Sequence, residues 1–174
     1  AQNPSNETNR LRDGVHYGVP KDHGESLKVD ASGPALHVPH PWTRSVNGLQ
    51  ILPESFPAQE IAGHGVGAEY NGKLLVRFTY HEVAGQLQGA IYYLSQPNFK
   101  DADANFQGPI CVTTGPDGEL YVGSIHDSGW LGGLNTGSIV KLTARKDRPN
   151  GIREIRATSD GFEIRFMRPI DRAT

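Results

Sequence analysis

One cysteine, Cys111, and one methionine stand in a chain of 174 residues. A lone thiol excludes an internal disulfide, a Cys-x-x-Cys-His haem attachment and any zinc site built from several cysteines. A c-type haem is thereby excluded. The roughly 18 consecutive apolar residues of a membrane-spanning helix occur nowhere, and residues 1–6 lack the basic and apolar regions of a secretory leader. Charge of one sign is scarce too: 17 Lys and Arg against 19 Asp and Glu leave a net −2 with no basic block. The footprint of a nucleic-acid binder is absent. Aromatic residues make up 8% and apolar residues 36%, whereas 21 glycines and 12 prolines punctuate the chain. Such a composition describes one turn-rich domain of short strands.

Residues 1–34 hold no sustained apolar period and read as an extended arm. Within it Asn6-Glu7-Thr8 has the form of a glycosylation sequon, a short pattern that recurs by chance. From there to about residue 148 the pattern is that of strands. Leu36-His37-Val38 and Leu49-Gln50-Ile51-Leu52 are short and bounded by Pro or Gly, as edge strands are. In the run 73–80, Leu74, Val76, Phe78 and Tyr80 share one face. Further strands are expected over 89–94, 110–113, 119–123 and 138–143, the last with the continuous apolar centre of a strand covered on both faces. Asn71-Gly72, Asp117-Gly118 and Asp160-Gly161 supply turns. No stretch longer than a turn reads as helix.

The strands repeat. Asn71-Gly72-Lys73-Leu74-Leu75-Val76 and Asp117-Gly118-Glu119-Leu120-Tyr121-Val122 share one template with glycines 46 residues apart, and Gly89-Ala90-Ile91 and Gly137-Ser138-Ile139 lie 48 apart. A period of about 40 to 50 residues with several strands per unit marks the β-propeller blade. The expected fold is all-β: a partial propeller of about two blades over 35–148, preceded by the arm. Over 149–174, Phe162, Ile164 and Phe166 alternate with Glu163 and Arg165, which predicts a half-buried hairpin, either a third blade's or the opening of a β-sandwich. Two blades do not close a ring, so the remaining blades are expected from the same longer polypeptide or from other subunits; a small open assembly of another kind is the alternative.

Candidate chemistry gathers where strands give way to loops. His126 beside Asp127, in the Gly-rich segment that holds Gly129 and Trp130, suits a proton acceptor. His81 and Glu82 fall within one residue of the equivalent position in the earlier repeat, so two His–acid pairs are expected to converge on one rim. Trp130 and Glu82 are candidate cofactor contacts. The plainer alternative makes these residues solvated loop positions, with Trp130 packed between blades. His37 and His40 are three apart in an extended segment and point to opposite faces, which argues against joint metal ligation. Trp42 with Arg44 reads as a blade contact, and Cys111, inside an apolar strand, as a buried small hydrophobe. Asp101 and Asp103 offer oxygens but lack the glycine and glutamate of an EF-hand loop. No metal ligand set is assigned.

The order of several motifs carries a resemblance: Leu36-His37-Val38-Pro39-His40-Pro41-Trp42-Thr43-Arg44-Ser45, Gln88-Gly89-Ala90, Gly115-Pro116-Asp117-Gly118-Glu119-Leu120-Tyr121-Val122-Gly123 and Phe162-Glu163-Ile164-Arg165-Phe166 followed by residues 169–174. Over about residues 14–174 the chain resembles the C-terminal part of secreted bacterial proteins related to glucose/sorbosone dehydrogenases, six-bladed propellers of the quinoprotein sugar dehydrogenase superfamily. The resemblance implies a sugar substrate, hydride transfer to pyrroloquinoline quinone (PQQ) beside calcium, a periplasmic or extracellular location, and an immunoglobulin-like sandwich beginning at the final hairpin. No segment here matches that family's catalytic His or its quinone-clamping Arg-Asn-x-x-Gly. The alternative is a non-catalytic propeller-derived subunit of a larger extracytoplasmic complex.

Overall fold

A computed structural model describes residues 6–15, 34–40, 42–95, 106–126 and 133–171. These residues form eleven strands in four antiparallel sheets and one turn of 3-10 helix, Gln59–Ile61. The main sheet has four strands in chain order, β3 (Val46–Ile51), β4 (Gly65–Glu69), β5 (Leu74–Val83) and β6 (Gln86–Tyr93). The second has three, β7 (Pro109–Thr114), β8 (Leu120–His126) and β9 (Thr136–Leu142). Two-stranded ribbons flank them: β1 (Asn6–Thr8) with β2 (Leu36–Val38), and β10 (Ile152–Ala157) with β11 (Phe162–Phe166).

The repeat is visible in the sheets. Asn71-Gly72 joins β4 to β5 and Asp117-Gly118 joins β7 to β8, and the pairing registers carry β5 onto β8 with the 46-residue offset, β4 onto β7 with 45 and β6 onto β9 with 47. Alternation along β5 sends Leu74, Val76 and Phe78 to one face and Leu75, Arg77, Thr79 and His81 to the other. The second face meets the second sheet: Val66, Ala68 and Leu75 share a core with Val112, Leu120 and Val122, while Leu52, Phe56 and Phe106 close its margin. Each such fully buried aliphatic side chain contributes about 1.5–3 kcal/mol. Where β7 crosses β3 the backbones nearly touch; a Cβ on Gly48 would lie 2.6 Å from the Cα of Cys111. The first face of the main sheet is partly covered by the β1–β2 ribbon, whose Leu36 and Val38 pack on Phe78.

Several expectations change here. The hairpin of β5 and β6 is longer than its apolar segments suggest, because Ala84 (φ 50°) and Gly85 (φ 76°) form a two-residue turn with both residues left-handed. His81 and Glu82 therefore lie within β5, opposite Gln88 and Leu87, and not in a loop. His126 likewise closes β8, opposite Thr136. Cys111 is exposed and Ile139 is 79% exposed, since both lie on the open face of the second sheet. That face leaves β9 covered on one side only. The final hairpin forms as predicted, but its apolar face is not buried: Phe162 is 75% exposed, and the one buried residue of its two strands is Glu154, at 5% exposed.

Candidate functional site

Arg77 is the centre of the most polar part of the interior. It sits in the apolar run Leu74-Leu75-Val76-Arg77-Phe78 and is 2% exposed. A guanidinium there needs partners on every side, and three elements provide them. Its Nη1 donates to the carbonyl of Arg153 at 2.6 Å and its Nη2 to that of Ile152 at 2.8 Å, both on β10. Nη1 also stands 2.6 Å from Nδ1 of His64, and the group lies 4.2 Å over the ring of Tyr92 on β6. Tyr92 completes the connection, its Oη accepting the Ile155 N–H at 2.7 Å.

The guanidinium presents only donors, so His64 Nδ1 must accept, which makes His64 a neutral imidazole protonated on Nε2. Burial, reinforced by the charges of Arg77 and Arg153, pulls its pKa down to about 4. Burial also lowers that of Arg77, to about 10, which leaves it cationic at neutral pH.

Glu154 organises the other half of the cluster. Arg165 Nη1 is 2.9 Å and Arg156 Nη2 3.1 Å from its Oε1. Burial opposes its ionised form, but these hydrogen bonds and charges outweigh burial and hold the carboxyl below its usual range. His81 Nε2 lies 3.7 Å from Glu154 Oε2 and has no hydrogen-bond partner. Burial first, and then the charge of Arg156, push the pKa of His81 down. The result is a neutral, sheltered imidazole beside a carboxylate already committed to two arginines. This arrangement fastens the hairpin to β5 and β6; it does not aim a base at an open cleft.

The predicted residues distribute as follows. His81 finds its acid in Glu154, while Glu82, the next residue on the strand, points to the opposite face and is exposed. The 46-residue offset aligns His126 with Tyr80, not with His81, and one residue along a strand exchanges faces. His126 thus shares the face of Leu120 and Val122, and His81 the face of Leu75 and Arg77. Asp127 and Trp130 lie outside the described residues, as do Asp101 and Asp103. His37 stands across from Glu7, its Nε2 3.6 Å from Oε1. Trp42 stacks on Tyr93 with ring centroids 4.7 Å apart. Sequence reasoning missed Arg77, His64, Tyr92 and Glu154, although a cation inside a five-residue apolar run was a signal for the first.

A polyanionic quinone with calcium requires uncommitted cations and converging oxygen donors. Arg77, Arg156 and Arg165 are spent on carbonyls and on Glu154. Among the described residues no three His, Cys, Asp or Glu side chains converge on a metal position. Within the described residues, the Arg77–Glu154 cluster does not fit PQQ and calcium. What they do leave open is two sheet faces. One holds a mostly apolar cavity of about 500 Å³ lined by Leu49, Ile51, Phe78, Tyr80 and Leu87 together with Thr8, Asn9 and Arg10. The other is a broad depression over Ile110, Cys111, Gly123, Gly137 and Ile139. Among the described residues no helix is long and apolar enough to cross a membrane.

No protein-family model matches the sequence, and no curated protein matches it. The fold does have a solved counterpart in a Thermus thermophilus protein named a "putative oxidoreductase (glucose dehydrogenase)", at 20% identity and a TM-score of 0.54. The match takes in 80% of this chain and 37% of that one, so the chain spans little more than a third of its neighbour's length. At that identity the likeness is one of fold: the antiparallel all-β arrangement described above is shared with a sugar dehydrogenase-like protein.

Proposed function

We infer that this chain is a segment of a sugar dehydrogenase-like β-propeller, contributing two consecutive sheets and a latched hairpin while other parts of the assembly supply the sugar-oxidising groups. One observation carries the reading. The face of the main sheet that bears Val66, Ala68 and Leu75 packs on the repeat-equivalent of its own opposite face, the one bearing Leu120 and Val122. Stacking in one constant sense is how blades follow one another around a ring. It leaves one unmatched face at each end of the stack, and these are the two open faces found here. The likeness to a protein named a glucose dehydrogenase supports the same reading.

The division of labour follows from the commitment of the arginines to carbonyls and to Glu154 and from the sheltered position of His81. Assayed with PQQ, calcium, a panel of aldoses and an artificial electron acceptor, the 174-residue chain is expected to retain no quinone and reduce no dye. Aldose-dependent dye reduction by the chain alone would overturn the scaffold role. An experimental structure of the chain in its native assembly tests the ring: antiparallel sheets are expected against Cys111 and against Leu49 and Ile51, and a helix at either place refutes it.

A further inference from the structure

The final hairpin docks through the outer backbone edge of β10, whose carbonyls meet Arg77 and whose Ile155 N–H meets Tyr92, and leaves both faces of β11 exposed, the apolar one included. On that face Phe162, Ile164 and Phe166 are 75%, 49% and 39% exposed. Its outer strand is also unpaired among the described residues, because β11 bonds only β10.

The backbone polarity of that edge follows from the ladder. Thr158 N–H donates to Gly161 O and Met167 N–H to Gly151 O, both at 2.9 Å. Antiparallel alternation then turns Glu163 and Arg165 toward β10. Phe162, Ile164 and Phe166 direct their N–H and C=O groups outward. Ile155, opposite Ile164, agrees, since its N–H leaves the hairpin for Tyr92 Oη.

The strand reads Phe162-Glu163-Ile164-Arg165-Phe166, which is its own complement when reversed about Ile164. In a twofold antiparallel pairing centred there, Ile164 meets Ile164 of a second copy and each exchanges both backbone hydrogen bonds. Phe162 meets Phe166 in the same hydrogen-bonding register, so every outward N–H and C=O of the strand is used. Between them Glu163 of one copy faces Arg165 of the other, twice by symmetry. Both side chains are accessible, at 46% and 44% exposed. Arg165 already bridges Glu154 and Glu163 in its own chain at 2.9 and 3.0 Å, so the approaching carboxylate joins a positioned guanidinium.

We propose that the β11 edge is a homodimerisation strand, pairing twofold about Ile164 with a second copy of this chain to make one continuous four-stranded antiparallel ribbon. Edge addition of this kind draws affinity from main-chain bonds and selectivity from alternate side chains. The proposal stands apart from the propeller reading, because it concerns a strand outside both stacked sheets.

Native mass spectrometry and light scattering of the 174-residue chain over a concentration series test it. A species of twice 18.9 kDa is expected to grow with concentration. Ile164→Pro removes an outward N–H while leaving the β10 ladder intact, and is expected to abolish the dimer with little change in thermal midpoint. Glu163→Arg places two like-charge pairs across the twofold axis and is expected to raise the dissociation constant at least about tenfold. A chain that stays monomeric throughout overturns the proposal and leaves the edge to a different partner. A dimer indifferent to both substitutions overturns it as well, by placing the interface elsewhere.

Discussion

Nη1 of Arg77 lies 2.6 Å from Nδ1 of His64, an arrangement that exists only while the imidazole is neutral. Protonation removes the acceptor and sets a second cation against a buried guanidinium, with Arg153 close by and only Glu154 opposing. The folded chain therefore holds the His64 pKa near 4, below the ordinary 6.5. Below pH 6.5 the unfolded chain binds a proton that the folded chain refuses, so this contribution is complete above 6.5 and is lost as pH falls toward 4. The loss amounts to roughly 3 kcal/mol over that window. Urea denaturation at pH 7 and pH 4.5 is expected to show it, and His64→Gln, which keeps an acceptor and does not titrate, is expected to flatten the difference. An unchanged pH slope in that variant would refute the assignment.

Arg77 bonds two successive carbonyls of β10, so the hairpin's attachment depends on it. Arg77→Met keeps the aliphatic stem and removes the donors. It leaves those carbonyls and His64 without their partner, at a cost of about 2–4 kcal/mol. The expected readout is local: amide exchange over 151–167 accelerates while that of β7 and β8 is little altered. Uniform acceleration across both sheets would mean that the hairpin is not separately latched.

The parts of this fold that were legible in the sequence are those written locally. Asn71-Gly72, Asp117-Gly118 and the alternation of Leu74, Val76 and Phe78 determine the repeated sheets through turn chemistry and period alone. The turn at Ala84-Gly85 was hidden, because an alanine at φ 50° carries no turn signature. The orientation of the final hairpin was hidden for a different reason. Its alternation says that one face is apolar and one charged, but its docking is decided by Arg77 and Tyr92, distant in sequence, which hold the backbone of β10. The pairing of His81 with Glu154 belongs to the same class of long-range fact, and adjacency to Glu82 pointed the wrong way because neighbours on a strand face apart.

Gly48 marks a close backbone approach between the two sheets. A methyl group there would sit 2.6 Å from the Cα of Cys111 and 3.0 Å from the carbonyl oxygen of Ile110, and neither backbone atom can swing aside. Gly48→Ala is expected to force β3 from β7 and destabilise the chain by about 1–3 kcal/mol. Gly151→Ala serves as the control, since a Cβ at Gly151 meets nothing within 4 Å. Equal denaturation midpoints for the two variants would show that the crossing is looser than described.

Cys111 reports on the open end of the stack. Its thiol is exposed on the face of β7, β8 and β9, and Gly123 across the ladder has no side chain to cover it, a Cβ there falling 2.5 Å from Sγ. A neutral alkylating reagent is therefore expected to modify Cys111 in the folded 174-residue chain at a rate within about tenfold of a free thiol, because the side chain is exposed. Intact-mass measurement follows the single addition. In the native assembly the same thiol is expected to be protected, because the next sheet of a constant-sense stack rests on this face. Protection lost on adding denaturant would fit burial under that sheet. Rapid labelling in the intact assembly would leave the face uncovered there, and the ring would have to end at β9.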